Sequence, residues 1–479
     1  RNMLTLMLFL GMVNASFLRI NLLVTLEDAV KHTKLAGLHP IECFTSKAQN
    51  QTRKATKMTP FGWTETHKKH ILNAFFYGHF ITQIPSGILV HRYGSKFMLG
   101  IGMILNTILG FLTPISASYG FYYIFMLRFV QGIGEGTVVP SCHSILANWT
   151  PPNERGRRVA IVYCGSQVGM AITLPLSKYV STNVMIGGWA SMFYILSGIS
   201  TIWLVCLYIF VYEDPLYHPR LNLRGKMNIL SAVWGAEIPR HRSRIPWNNI
   251  ITSPAFWGII LASVANSYSY EILLTEIPLF MSDVLNYNIR EHTIFAATPY
   301  CVMAICALMF SITFDELITY QKITIGTARK LANAIGQLGP AVALAVAGFS
   351  RCNGFLTLAV LTVGLGVNGA VYCGYLVNHI DISPNFVCIL VTITHFFANI
   401  VGFIVPILAS FMLYRNVNIA TWGEVFFLTI GQYIACNLYF WVFASGKRQP
   451  WDINIPSDSL SRIERTLTTV IRRHLLLRP

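Results

Sequence analysis

Arg128 and Glu135 lie inside a run of membrane character, Tyr119 to Ala147, which reads YGFYYIFMLRFVQGIGEGTVVPSCHSILA. Their seven-residue spacing is nearly two helical turns, so both share one helix face, about 10 Å apart along the axis. A charge at the bilayer centre costs about 2.5–3.5 kcal/mol on insertion scales, and such residues mark binding sites or ion paths. The Arg fork suits carboxylate or phosphate. A buried Glu beside it can exchange a proton, because burial and a neighbouring cation push its pKa in opposite directions. That pairing is the chemistry of a device that moves charged solutes.

Other polar residues interrupt apolar runs in the same way. Arg19 and Asn21 lie in the first, and Asn266, Tyr270 and Glu271 in a polar, aromatic stretch of the seventh. The candidate substrate-binding set is therefore Arg19, Asn21, Arg128, Asn266 and Tyr270, and the candidate ion-coupling set is Glu135 and Glu271. Glu276, nearer the end of its run, reads as interfacial. His79, His143 and His395 read as packing residues, and no HxxxH or CxxC occurs, so no metal or cofactor is expected. No nucleophile–base pair points to an enzyme. Gly132, Gly134, Gly136, Gly165 and Gly169 read as close helix-packing positions. The glycines at 134 and 136 are not a phosphate loop, because no strand precedes them and no GK[ST] follows.

The elements that hold these residues are membrane helices. Of 479 residues, 53% are hydrophobic and 12% charged, about half the charge of a soluble domain, and the mean hydropathy is +0.51. About twelve runs reach the ~20 residues needed to span: 3–26, 66–90, 96–117, 119–147, 157–182, 189–212, 251–282, 292–313, 328–349, 353–378, 384–413 and 420–444. The least marked boundary separates the eighth and ninth. No period-two alternation suggests a β-barrel. The chain begins at Arg1 without a Met and reads as lacking an N-terminal tail. The first run has no small-residue cleavage site and reads as a span rather than a signal peptide.

The net charge of +16 would suggest nucleic acid on a soluble protein. Here the basic residues cluster in loops, at 91–96, 154–158, 220–244 and 447–473, all on one side of an even number of spans. That side reads as cytoplasmic. The loop at 27–65 dissents with six Lys and Arg, although long loops guide orientation weakly. It holds Asn50-Gln51-Thr52, so Asn50 is a candidate glycosylation site on the outer side. Asn148-Trp149-Thr150 falls on the inner side before Pro151 and is discounted. Most of the ten Cys lie in spans and read as small hydrophobes. Cys43 and Cys352 share the outer side and could be bridged. The tail at 455–479 places Leu460, Ile463, Leu467, Val470 and Ile471 among arginines, as a basic interfacial helix or a disordered segment would.

The chain divides at its longest inner loop. The expected organisation is a six-helix half at 1–212, a central loop at 213–250, a second half at 251–446 and a tail at 447–479. Six spans on each side of a basic loop is the layout of the major facilitator fold, an all-α membrane architecture. Gly87 to Lys96, GILVHRYGSK, is similar to that superfamily's G-x-L-x-D-R-x-G-R-R motif. This implies a conformational latch at Gly87, His91, Arg92, Gly94 and Lys96, with His91 where Asp is usual. Asp315 lies in the equivalent loop of the second half.

More specific motifs run along the chain. Arg128 to Gly136, RFVQGIGEG, precedes Trp149, Pro151-Pro152, Glu154-Arg155, Gly165, Gln167, Gly169 and Leu174-Pro175-Leu176. Further matches are Leu18 to Asn21, Ile81 to Gly87, Tyr212 to Pro215, Asn378 to Pro384 and Ala444 to Trp451. Together they resemble the anion:cation symporter family of sialin, vesicular glutamate transporters and sodium–phosphate cotransporters. The resemblance implies a monomeric secondary transporter of small anions, driven by sodium or protons, in the plasma membrane or a lysosomal or vesicular one, among membrane lipids. A voltage-driven uniporter or anion channel is the alternative. Gln131 stands where sialin-like members carry a coupling Glu, which removes that proton route. Asn266 and Leu72 replace an Arg and a His of glutamate carriers. These departures favour the phosphate or organic-anion branch.

Overall fold

Hydrocarbon offers no partner for a backbone N–H or C=O, so a chain this apolar must satisfy them within helices. The computed structural model describes residues 1–29, 63, 65–182, 188–219, 221–234, 244–273, 293–349, 354–413 and 419–452. Asn50, Cys43, Cys352, Glu276 and the tail after Asp452 lie outside the described residues. Apart from short 3-10 turns, the described elements are α-helices.

The first bundle comprises α1 Asn2–Ala29, α2 Glu65–Tyr93, α3 Ser95–Tyr119, α4 Phe121–Glu135, α5 Val138–Trp149, α6 Arg155–Thr182 and α7 Gly188–Phe210. Two short helices follow, α8 Leu223–Trp234 and α9 Trp247–Ile251. The second bundle comprises α10 Pro254–Glu271, α11 Thr293–Thr319, α12 Ile325–Phe349, α13 Gly354–Asn368, α14 Tyr375–Ile382, α15 Val387–Leu413 and α16 Ile419–Phe443. Among the described residues, nine helical segments are long and apolar enough to cross a membrane.

Two spans differ from their expected form. The run at 119–147 is two helices, α4 and α5, joined by a turn at Gly136 and Thr137. There the Thr137 amide shortens its reach to the Gly134 carbonyl at 3.3 Å, and Thr137 Oγ1 donates to the Met98 and Gly134 carbonyls. The run at 353–378 breaks into α13, a 3-10 turn at Gly369–Cys373, and α14, which continues to Ile382. The breaks follow crowding. A Cβ on Gly369 would meet the Met303 carbonyl at 2.6 Å, and one on Gly374 the Asn333 amide at 2.9 Å.

Glycines set the close crossings within the first bundle. A Cβ on Gly132 would strike the Phe75 carbonyl, joining α2 to α4, and one on Gly165 the Phe9 carbonyl, joining α1 to α6. Between bundles, α6 packs on α11, and α2 and α5 pack on α15. These seams bring residues from distant parts of the sequence to one interior.

Candidate functional site

The two interior arginines occupy different situations. Arg128 is buried, and both its terminal nitrogens are engaged, while its Nε is buried with no hydrogen-bond partner. It donates to Gln131 Oε1 at 2.9 Å, to the Arg19 carbonyl at 3.0 Å and to the Leu18 carbonyl at 3.4 Å, and it lies over the Phe75 ring at 5.3 Å. It ties α4 to the backbone of α1. Arg19 is half-buried, and among the described residues no group hydrogen-bonds its guanidinium. Its charge is felt at His79 on α2, Glu135 on α4, Tyr270 on α10 and Tyr300 on α11. Arg19 is therefore the guanidinium open toward both bundles.

Glu135 is buried and accepts from Asn106 Nδ2 at 2.8 Å. Asn21 accepts from Ser177 Oγ at 2.9 Å, which engages it with α6 inside its own bundle. Asn266 accepts from Asn368 Nδ2 at 2.8 Å. Tyr270 lies 3.5 Å from Gln167 Oε1, and Gln167 Nε2 donates to Tyr372 Oη at 2.7 Å. Gln167 of the first bundle thus meets two tyrosines of the second. Glu271 ends α10 half-buried, close enough for its charge to act on Tyr270 and Tyr300. Arg19, Tyr270 and Glu271 therefore share one neighbourhood, while Asn21 and Arg128 are engaged beside it.

The residues of the expected latch lie at the basic end of the bundle. Gly94 turns the chain between α2 and α3 at φ +102°, a conformation open to glycine. A Cβ there would meet the Glu213 carboxylate, which accepts from the Ser95 amide at 2.8 Å and the Ser95 hydroxyl at 2.9 Å. Lys96 Nζ donates to the Tyr208 carbonyl at 3.0 Å, near the end of α7, where a cation complements the helix dipole. Gly87 faces Cys388 and Thr392 of α15, and the His91 ring lies 5.5 Å from Phe386. Arg92 is exposed and lies over the Tyr93 ring.

Sequence reasoning named the motif residues Arg155 and Asp381 without assigning them a role, and it missed Arg329. Asp381 accepts from Arg155 at 3.1 Å and from Arg329 at 2.7 Å, and all three are buried. Arg155 belongs to the first bundle and the others to the second, so the trio crosses the seam. Beside it Asp315 accepts from the Arg157 amide at 2.7 Å. Ser383 donates to Asp452, which also pairs with Arg448. Burial raises the Asp452 carboxyl above its ordinary range, against the pull of Arg448 and Ser383. The available signal was the recurrence of charged residues at the ends of apolar runs, but sequence does not say which run ends meet. Among the described residues, no group of three or more His, Cys, Asp or Glu could hold a metal ion.

Two helical bundles that meet along interior seams, with a buried charge cluster joining them at one end, form a multi-pass helical membrane protein. The Major Facilitator Superfamily pattern matches residues 4–406. A relative named "Putative inorganic phosphate cotransporter" from Drosophila melanogaster is 38% identical, covering 98% of this chain and 89% of that protein. Human sialin is 32% identical, covering 94% and 90%. The solved structure of the proton:xylose symporter XylE shares the fold, with a TM-score of 0.65 at 17% identity, covering 93% of this chain and 97% of that one. The chain belongs to the Major Facilitator Superfamily, in its anion:cation symporter branch. Its relatives are transporters and not enzymes.

Proposed function

We propose that the chain is a secondary active carrier of small anions, inorganic phosphate or organic anions, coupled to sodium or protons. The observation that carries this reading is Arg19, a half-buried guanidinium in the interior that no group among the described residues hydrogen-bonds. Its fork suits a carboxylate or phosphate. Tyr270 and Gln167 supply hydroxyl and amide groups beside it. Arg128 acts through α1, holding the backbone that presents Arg19. The names of the relatives support anion transport, and the Arg155–Asp381–Arg329 cluster supports alternating access, because it is a charge network that must open to release cargo toward the basic, cytoplasmic side.

Purified protein in liposomes tests this reading. Labelled phosphate, sialate and glutamate are offered under imposed sodium, proton or voltage gradients. Saturable uptake above equilibrium for at least one anion is expected. Conductance without saturation would favour the channel alternative, and no accumulation of any anion under any gradient sinks the carrier reading.

A further inference from the structure

We propose that His79 and His395, one from each bundle, form with Arg19 a proton-accepting site that is occupied together with the anion. The inference rests on the carrier reading and deepens it by assigning the coupling ion and its residues.

His79 lies fourteen residues from either end of α2, and His395 eight residues into α15. They immediately precede Phe80 and Phe396, whose rings stack across the seam with centroids 4.9 Å apart. The two imidazoles are within electrostatic reach of each other, and Arg19 is within reach of His79. Gln83 Nε2 sits 2.6 Å from His79 Nε2, while His79 Nδ1 is buried with no hydrogen-bond partner. One imidazole nitrogen is therefore held and the other is left for whatever enters. Both rings are half-buried, in the interior rather than sealed in the core.

Other charged groups on the elements packed against α2 and α15 are Lys96 of α3, Arg128 and Glu135 of α4, Glu271 of α10, Asp381 of α14 and Glu424 of α16. Further imidazoles are His143 of α5 and His379 of α14. Arg128 and Glu135 are engaged as described. His143 bonds Tyr163 and His379 bonds Thr394, so neither is open in the way His79 is.

The coupling follows from Coulomb's law. An imidazolium beside Arg19 is a like-charge pair, and an anion between them turns that repulsion into two attractions. The anion favours the proton and the proton favours the anion by the same factor, because linkage is reciprocal. The proton enters from the open side, rests on a ring nitrogen and leaves from the other side after the bundles rock. The anion's own charge offsets it, and no bond other than N–H forms or breaks. Carboxylate coupling at position 131 is not needed, since Gln131 carries no exchangeable charge.

The test compares the unaltered carrier with His79→Gln, His395→Gln and the double variant in liposomes, with labelled phosphate as probe. In the unaltered carrier, an inward proton gradient at equal sodium should drive accumulation. In the double variant, accumulation should fall at least tenfold toward the passive level and the acid stimulation should flatten. Exchange of labelled for unlabelled phosphate should continue with weakened affinity. Unchanged pH dependence and accumulation in the double variant overturn the histidine site alone, as does accumulation driven by sodium and not by protons. No uptake of any kind by the unaltered carrier overturns the anion reading and this inference with it. Should the double variant fail to assemble, proton uptake on phosphate binding is read with a pH indicator in weakly buffered detergent solution. About one proton per bound anion, beyond the anion's own titration, is expected, and zero overturns the proposal.

Discussion

Replacing Arg128 with Lys keeps the charge but cannot reproduce bonds to Gln131 and two α1 carbonyls at once. Bonds from charged donors contribute about 1.5–3 kcal/mol each. Arg128→Lys should therefore lower the Tm by several degrees and reduce uptake, because α1 loosens. Arg19→Lys should leave the Tm within a degree or two and raise the KM for the anion at least tenfold, because the bidentate fork is gone and no intramolecular bond is lost. Thermal unfolding and uptake kinetics on both variants separate the roles. A stable Arg128→Lys with a raised KM, together with a kinetically silent Arg19→Lys, would reverse the assignment. The sequence made both arginines legible as candidates, since a charge in an apolar run is conspicuous. Position along a run does not reveal which backbone carbonyls a neighbouring helix presents. The same limit left His79 read as a packing residue, since sequence shows neither the Gln83 amide against its Nε2 nor its unpartnered Nδ1.

At the scale of helices, two glycines on α2 and α4 make contrasting predictions. Gly132 faces the Phe75 carbonyl inside one bundle, so a methyl group there strains every conformation that keeps α2 on α4. Gly87 faces Thr392 and the Cys388 carbonyl across the seam, so a methyl group there strains the closed basic end alone. Overpacking costs about 1–3 kcal/mol. Gly132→Ala should lower the Tm and leave the conformational balance unchanged. Gly87→Ala should change the Tm less and expose Cys388 to thiol reagents. Equal effects of the two on Cys388 labelling would show that the seam does not act as a gate. The twelve runs were legible because length and hydropathy dominate helix insertion. The break between α4 and α5 was not, because the tertiary partner of Thr137 at the turn, the Met98 carbonyl of α3, is not visible in the local sequence.

For the whole molecule, the buried trio of Arg155, Asp381 and Arg329 sets the balance between closed and open basic ends. Asp381 is the shared anion, so Asp381→Asn strips both buried guanidinium groups of the carboxylate they bond, leaving Asp315 as a neighbouring acid for Arg329 alone. Removing one partner of a buried pair costs about 3–5 kcal/mol, and at 1.4 kcal/mol per tenfold that exceeds a hundredfold in population. The penalty falls on the state in which the bundles meet at this end, because opening it returns Arg155 to water. Cys388 is a native reporter of that transition, being 2% exposed on α15 where α2 and α5 close over it. Asp381→Asn should raise the rate of Cys388 modification by a membrane-impermeant maleimide at least tenfold, read by peptide mass mapping against the other cysteines. Gradient-driven uptake should fall in parallel, since a carrier held open on one side cannot complete its cycle. Adding Arg155→Gln to Asp381→Asn removes one of the stranded charges and should bring the labelling rate part of the way back. If Cys388 labelling in Asp381→Asn matches the unaltered protein while uptake is lost, the trio acts in folding or assembly and not as the gate.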